Sequence, residues 1–254
     1  MTCDSEWQLD TKHIGRRVLI FDQLDSTNTK AASLAHDPSN DGIVILAREQ
    51  TAGRGQHGRY WQCPPDMGVL LSILIFPPPA LRRPAVLTAW AAVSVSETIL
   101  KRTGLQAIIK WPNDVYLRGR KVCGILIEQG RGTAVGIGLN VNQPAESFAA
   151  AGLGLGGSLC SMTGQKLNCA EVAKDLIGKL DEEYERLSQG DFASLEDRWK
   201  RHFDLLGKQV VLECVDAKYE GRLLDMTFDG LSLEKSEQGK MILRPEAVKH
   251  LSAL

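Results

Sequence analysis

Apolar side chains along this 254-residue chain repeat with a period that changes several times, and the changes mark out its elements. Val18 to Leu24 is a short run rich in branched and apolar residues, the pattern of a strand. Asp25-Ser26-Thr27-Asn28 follows with residues that favour a helix N-cap, so the Ala-rich segment Thr29 to Ala35 is predicted helical. Asp37 to Gly42 is a turn cluster, and Ile43 to Ala47 a second strand. Gly53 to Trp61 is rich in Gly and Arg. Gly68 to Phe76 is an apolar strand closed by Pro77-Pro78-Pro79. Pro84 opens a long helix that Gly104 ends. Leu87, Trp90, Ala91, Ser94, Val95, Thr98 and Ile99 share one side of it, which should face the core.

Short β segments come next: Ala107 to Trp111, Val115 to Leu117, Lys121 to Glu128 and Thr133 to Val141. Arg118-Gly119-Arg120 and Gly130-Arg131-Gly132 have the composition of hairpin turns. Ala149 to Gly157 is a Gly/Ala-rich loop, expected to be mobile. Asn168 with Glu171 resembles a capping pair, with a helix to about Leu187 and another over Phe192 to Phe203. Beyond Leu206 the character changes to short strands, Gln209 to Val215, Lys218 to Met226, Leu231 to Glu234 and Met241 to Leu243, broken by Asp229-Gly230 and Gln238-Gly239. The fold class expected is α+β: a mixed, mostly antiparallel sheet packed by helices over 1–205, and a small all-β barrel over 206–254.

Composition narrows the function classes. Hydrophobic residues are 43% and charged residues 24%, ordinary for a soluble globular chain. The net charge of −1 gives no global attraction to nucleic acid or an anionic membrane. Val86 to Leu100, the most apolar long stretch, contains Thr88, Ser94, Ser96, Glu97 and Thr98. It is too short and too polar for a bilayer, which needs about 20 apolar residues. Met1 to Trp7 carries Asp4 and Glu6 and no apolar run, which argues against a signal peptide. The six cysteines are scattered without a C-x-x-C pair, as expected of a cytoplasmic chain without a structural metal.

Three stretches bear chemistry. In Gln50 to Trp61, glycines let backbone N–H groups approach an oxyanion and Arg54 and Arg59 can neutralise it. Gly53-x-Gly55-x-x-Gly58 matches a dinucleotide fingerprint formally, but Tyr60-Trp61-Gln62-Cys63-Pro64-Pro65 stands where the fingerprint needs a helix. Taken alone, the stretch is better read as a glycine-rich surface loop. Lys110-Trp111-Pro112-Asn113-Asp114 is followed by Lys121 and Gly124. Lys110 and Lys121 are expected on neighbouring strands joined by the Arg118-Gly119-Arg120 turn, and two lysines with an aspartate suit a nucleotide phosphate and its magnesium. A lone strand lysine is commonly a solvated edge residue, so this stretch by itself leaves the readings level. Gly136 to Asn142 ends an apolar strand in asparagines, which are ordinary turn formers. Ser26, Thr27 and Asn28 likewise read as a helix cap or as a polar ligand site at a helix N-terminus. No G-x-x-x-x-G-K-[ST], G-x-S-x-G or H-E-x-x-H occurs, and the histidines are dispersed.

Together and in this order, Asp25 to Asn28, Gln50 to Trp61, Lys110 to Asp114, Lys121 with Gly124 to Glu128, and Gly136 to Asn142 resemble the biotin–protein ligase (holocarboxylase synthetase) family. The resemblance covers nearly the whole chain, and the C-terminal strands look like the family's SH3-like domain. No counterpart of the DNA-binding domain of repressor-type members is expected, since only Met1 to Arg17 precede the first predicted strand. The resemblance implies that Ser26, Thr27, Asn28, Gln50, Gly53, Arg54, Gly55, Gln56, Lys121 and Gly124 surround biotin. It places Arg54, Arg59, Trp61, Lys110, Asn113 and Asn140 on the nucleotide side. Gln56 is a departure: many members carry arginine there, and glutamine lacks the bidentate fork that would help retain an adenylate.

The implied reaction has two steps, with ATP and Mg2+ as co-substrates. Biotin's carboxylate attacks the α-phosphorus of ATP, and a lysine of a biotin carboxyl carrier protein then takes the biotinyl group. Lys121, Asp114 and Arg54 are the implied catalytic residues. One lysine about 4 Å from a phosphate oxygen contributes roughly 4 kcal/mol of gross Coulomb attraction at an effective dielectric of 20. The acceptor lysine must be neutral to attack, and Asp114 is the residue expected to take its proton. The sequence itself leaves the oligomeric state unset; members of the family often dimerise through a sheet face, so a homodimer is among the implied arrangements. Two rivals stand beside this reading. A lipoate ligase or octanoyltransferase resembles the same fold, and a non-catalytic biotin sensor would bind without turnover.

Overall fold

The structure, a computed structural model, describes residues 3–214, 217–235 and 239–254. Its larger sheet holds β1 (Ser5–Trp7), β2 (Val18–Leu24), β3 (Val44–Gln50), β4 (Gly68–Ile75), β5 (Ile108–Lys110), β6 (Asp114–Leu117), β7 (Arg120–Gln129) and β8 (Thr133–Asn140). In space the order is β1-β2-β3-β4-β8-β7-β6-β5. Only β2 and β3 pair in parallel. A parallel pair needs a crossover, and α1 (Thr27–Leu34) lies within it. The mixed, mostly antiparallel sheet expected from the pattern is thus present. The first strand is not Val18–Leu24, however: Ser5–Trp7 precedes it and pairs antiparallel along its edge. Three residues carry too little periodicity to be read in isolation.

Seven of the eight residues of β4 are buried, because α1 packs on one face of the sheet and α5 (Cys169–Ser188) on the other. A strand covered on both faces reads as a continuous apolar run, as Val69 to Ile75 does apart from Ser72. The long helix α2 (Pro84–Thr103) buries all seven residues predicted to face the core. It also buries Val86, Ala89, Ala92, Val93 and Ser96, because the sheet, α5 and α6 (Phe192–Arg201) enclose it. Its buried hydroxyls bond back to the preceding turn, Ser94 to Trp90, Ser96 to Ala92 and Thr98 to Ser94, each at 2.8 Å. Gly104 closes the helix at φ 69° with its N–H on the Leu100 carbonyl. Asn168 caps α5 by accepting from the N–H groups of Ala170 and Glu171.

The stretch expected to be a mobile Gly/Ala loop is partly a short helix, α3 (Ala145–Ala150). Its remainder is tied down: Lys121 donates its N–H to the Leu155 carbonyl at 2.8 Å and accepts from Gly157 at 2.9 Å. A further short helix, α4 (Leu159–Thr163), follows with a capping box on Ser158.

The second sheet holds β9 (Gln209–Cys214), β10 (Lys218–Met226), β11 (Leu231–Lys235), β12 (Gly239–Leu243) and β13 (Val248–Ala253), in the order β12-β11-β10-β9-β13. Val215 and Gln238, assigned from sequence to a strand end and a turn, lie outside the described residues. The pattern did not reveal β13. This sheet abuts the first rather than standing apart. Trp111 donates its Nε1–H to the Val248 carbonyl at 2.8 Å, and Trp111, Trp199 and Phe228 form a stack with centroid spacings of 5.9 and 5.5 Å. No helix among the described residues is long and apolar enough to cross a membrane.

Candidate active site

Local backbone closeness shapes the Gly/Arg stretch into a flap. Trp61 donates its N–H to the Gly53 carbonyl at 2.9 Å, Gly55 to Arg59 at 2.7 Å, and Arg54 pairs with Tyr60 as an antiparallel bridge. His57 (φ 56°) and Gly58 (φ 73°) turn the tip. A Cβ on Gly53 would collide with the Trp61 carbonyl, so glycine is required there by the backbone. Gly53 is accordingly the one predicted site residue that does not line the cleft.

The cleft beneath the flap has a volume of about 1150 Å³. It gathers Ser26, Thr27, Asn28, Gln50, Arg54, Gly55, Gln56, Arg59, Trp61, Lys110, Asn113, Asp114, Lys121, Gly124 and Asn140. Its floor is made of glycines on paired strands, Gly124 opposite Gly138 and Gly136 two residues along. The indole of Trp61 lies flat on that floor: a Cβ on Gly138 would stand 2.5 Å from its Nε1 and one on Gly124 2.9 Å from its ring. Trp61 Nε1 is buried without a hydrogen-bond partner. The residue assigned to the nucleotide side therefore shares a surface with Gly124, assigned to biotin.

At one end of the floor stand the first residues of α1. Ser26 is the N-cap but makes no side-chain cap bond. Thr27 donates its N–H to Gln50 Oε1 at 2.8 Å, and Ser72 Oγ lies 2.7 Å from Thr27 Oγ1 and 2.6 Å from Asn28 Oδ1. These polar groups are bonded to one another inside the wall rather than acting as a simple cap. Arg54 is not a free cation. Its Nη2 contacts both oxygens of Glu128 at 2.8 and 3.1 Å, and its Nη1 donates to Thr29 Oγ1 at 2.7 Å.

At the other end, Lys121 Nζ meets Asp114 Oδ1 at 2.7 Å and lies 5.8 Å from the Trp61 ring centroid. The side chains are 31% and 19% exposed, so the pair is open to the cleft but shielded from bulk water. One expectation is corrected. Lys110 and Lys121 are not on neighbouring strands, because the Arg118-Gly119-Arg120 turn joins β6 to β7 and leaves Lys110 on β5, one strand further out. Lys110 instead lies over the Tyr116 ring, 5.1 Å from its centroid. Burial, with the charge of Asp114, pushes the Tyr116 phenol up against the opposing effect of Arg59. Asn113 Nδ2 is committed to the Ile125 carbonyl at 2.6 Å and Asn140 Nδ2 to the Gly157 carbonyl at 3.0 Å. Asn140 Oδ1 remains buried without a partner.

Sequence reasoning missed several contributors. Glu213, Lys249 and His250 reach the cleft from the second sheet, and Leu153 to Gly156 form its rim. Nothing in their local pattern announces this, since a distant strand brings them in. Ser72 did leave a signal: it is the only polar residue in the buried run Val69 to Ile75. Among the described residues no group of three or more His, Cys, Asp or Glu side chains is placed to hold a metal ion.

Comparison with known proteins agrees with this geometry. Residues 20–142 match the biotin/lipoate A/B protein ligase family. The bifunctional ligase/repressor BirA of Bacillus subtilis is 30% identical over 237 residues, which span 91% of this chain and 73% of that protein. The biotin–[acetyl-CoA-carboxylase] ligase of Paracoccus denitrificans is 31% identical over 232 residues, 88% of this chain and 92% of that one. The structure of biotin protein ligase from Aquifex aeolicus in complex with biotin and ATP superposes with a TM-score of 0.80 at 26% identity, covering 93% of this chain and 99% of that one. With its strand order, its flap over a glycine floor and these relatives, the chain belongs to the biotin–protein ligase family.

Proposed function

We propose that this protein activates biotin with ATP to biotinyl-5'-AMP and transfers the biotinyl group to a lysine of a biotin carboxyl carrier protein. The observation that carries the reading is the Lys121–Asp114 pair in a half-shielded cleft that also holds Arg54 and the polar wall at Thr27 and Gln50. A carboxylate and a polyphosphate repel each other, so their encounter needs cations aimed at the point of reaction. Lys121 takes that place, contacting the biotin carboxylate and the α-phosphate. In the free protein Asp114 neutralises it, and the incoming anions take over part of that role.

The carboxylate oxygen attacks the α-phosphorus, the bond to the β-phosphate oxygen breaks, and pyrophosphate leaves. In the second step the acceptor lysine gives its proton to Asp114, the neutral amine attacks the acyl carbon, and the bond to the phosphate oxygen breaks as AMP departs, the nitrogen's remaining excess proton passing to the leaving phosphate. An unperturbed lysine, with a pKa near 10.4, is neutral in only roughly a few parts in ten thousand at pH 7, which is why a nearby carboxylate matters. Ser26, Thr27, Asn28 and Gln50 hold the polar end of biotin, while Trp61 and the glycine floor flank its apolar part. Arg59, Lys110 and Asn140, whose Oδ1 is without a partner, serve the nucleotide. Magnesium enters with ATP as a companion of its phosphates. The flap keeps water from the mixed anhydride, with Gln56 supplying a neutral contact where arginine would supply a charged one.

The acceptor is a carrier domain of acetyl-CoA carboxylase or a related biotin-dependent carboxylase, met in the cytoplasm, where scattered cysteines stay reduced. The division into a catalytic unit over 1–205 and an SH3-like unit over 206–254 follows the two sheets, although the second lends Glu213, Lys249 and His250 to the cleft. The test is direct. Purified protein is incubated with ATP, magnesium, biotin and a carrier domain, and the carrier is weighed by mass spectrometry. A carrier heavier by one biotinyl group is expected; an unmodified carrier, or one modified equally well by lipoate, overturns the reading.

A further inference from the structure

Behind the polar wall of the cleft, a row of side chains joins Gln50 to Arg54, and the acceptors at its Glu128 end fix the sense of the hydrogen bonds there. Asn28 Nδ2 lies 2.7 Å from Glu128 Oε2 and 3.3 Å from the Leu126 carbonyl. Both are acceptors, so the amide nitrogen faces them and Oδ1 faces Ser72. Ser72 Oγ stands 2.6 Å from Asn28 Oδ1 and 2.7 Å from Thr27 Oγ1. A hydroxyl has one hydrogen, and Asn28 Oδ1 has none to give. Ser72 therefore donates to Asn28, and the Thr27 hydroxyl, 2.7 Å from Ser72 and 3.1 Å from Gln50 Oε1, donates to the nearer Ser72. Gln50 Oε1 then receives the backbone N–H of Thr27 at 2.8 Å, which turns Gln50 Nε2 toward the flap, where a Cβ on Gly53 would stand 3.1 Å from it.

The row ends on Glu128, its one charged acceptor. The same carboxylate receives Arg54 Nη2 at 2.8 and 3.1 Å. Ser72, Asn28 and Thr27 are buried, at 0%, 3% and 4% exposed, so an unmatched donor among them cannot turn to water. Neither Glu128 nor Ser72 lines the cleft.

We infer that Glu128 is a positioning residue for the biotin end of the site: its carboxylate sets the orientation of Asn28, Ser72 and the Thr27 hydroxyl beside Gln50, and pins Arg54 at the base of the flap. The kinetic consequence rests on the biotin reading above; the structural one rests on geometry alone. A glutamine at 128 keeps the shape but offers one acceptor oxygen to two donors and sets an N–H against the other. Ser72→Ala interrupts the row without altering any charge.

The test compares the full chain with Glu128→Gln, Ser72→Ala and the double variant, after thermal melting of each. Pyrophosphate release gives the KM for biotin, and transfer from saturating preformed biotinyl-adenylate gives the second step separately. Each single variant is expected to raise the biotin KM about tenfold, the scale of leaving a buried donor or acceptor unmatched. Transfer should stay within about twofold, and the double variant should be no worse than the more damaged single one, because the row acts as a unit. A KM within about twofold of the parent, or losses that multiply, overturns the inference. Limited trypsin digestion of the ligand-free proteins reads the same geometry without turnover. Cleavage after Arg54 or Arg59 should quicken several-fold in Glu128→Gln, and an unchanged rate also overturns the inference. A parent that makes no pyrophosphate with biotin sinks the functional reading instead and leaves digestion to judge Glu128.

Discussion

Lys121 and Asp114 face each other across adjacent strands, Nζ to Oδ1 at 2.7 Å, at one end of a cleft on whose glycine floor Trp61 lies. Asp114 is paired in register with Gly124 and Lys121 with Tyr116. The β6–β7 hairpin, turned by Arg118 (φ 49°) and Gly119 (φ 77°), therefore holds the two charges in place. The contact ties the principal cation of the proposed chemistry to the carboxylate that would accept a proton.

Lys121→Ala is expected to fold and to lose biotinyl-AMP formation by a factor of about 10² to 10³, the usual cost of removing one charge-stabilising donor. Pyrophosphate release with biotin and ATP measures the loss, and circular dichroism melting checks the fold. Adenylate formation at the parent rate would refute the assignment of Lys121.

Asp114→Asn should act mainly on the second step. Transfer from preformed biotinyl-adenylate to a carrier domain is expected to slow by about 10²-fold, the scale of general-base catalysis. A normal single-turnover transfer rate would remove Asp114 from the mechanism.

Gly138→Ala places a methyl group 2.5 Å from the Trp61 indole nitrogen and must lift the ring from the floor. Overpacking of this kind costs about 1–3 kcal/mol, and the melting temperature should fall by about 2–4 °C for each kcal/mol. Biotin binding should weaken with it. Tryptophan emission and a melting curve both report the change; an unaltered spectrum with full activity would show that the floor tolerates a side chain.

A carboxylate on α5 makes the acid stability predictable. Burial pushes the Asp175 carboxyl up, but hydrogen bonds from Lys101 (3.0 Å) and Arg102 outweigh it and hold the group below 3.8. The stabilisation is therefore complete above the unfolded value of 3.8 and disappears as pH falls through the lower folded value. Asp175→Asn should lower the melting temperature at neutral pH and flatten its decline in acid. Parallel melting curves for parent and variant from neutral pH to below 3.8 decide this; an equal slope would deny Asp175 a part.

The helices and the larger sheet were legible where burial imposes a strong period. In α2, the positions Leu87, Trp90, Ala91, Val95 and Ile99 predicted inward are all buried. The hairpin at Arg118-Gly119-Arg120 was legible because its turn needs positive φ. Ser5–Trp7 and Val248–Ala253 were not, since an edge strand of three residues and a strand whose burial, broken by a register shift, does not alternate carry little local signal. The site was readable as a set of chemical types, and all but one of the residues named for it line the cleft. How they pair was not readable. Arg54 meets Glu128 from 74 residues away, while Lys110 over Tyr116 and Asn113 on the Ile125 backbone depend on how neighbouring strands pair.

Local pattern thus determined most of the helices and strands, and the ordered motifs determined the family, because side-chain period and backbone closeness at glycine act over a few residues. Tertiary structure alone decided the pairing of charges in the cleft, the direction of the hydrogen bonds ending at Glu128, and the use of Glu213, Lys249 and His250 as cleft lining. Electrostatics and hydrogen bonding depend on distances of a few ångströms, and those distances exist only once the sheet order has brought remote strands together.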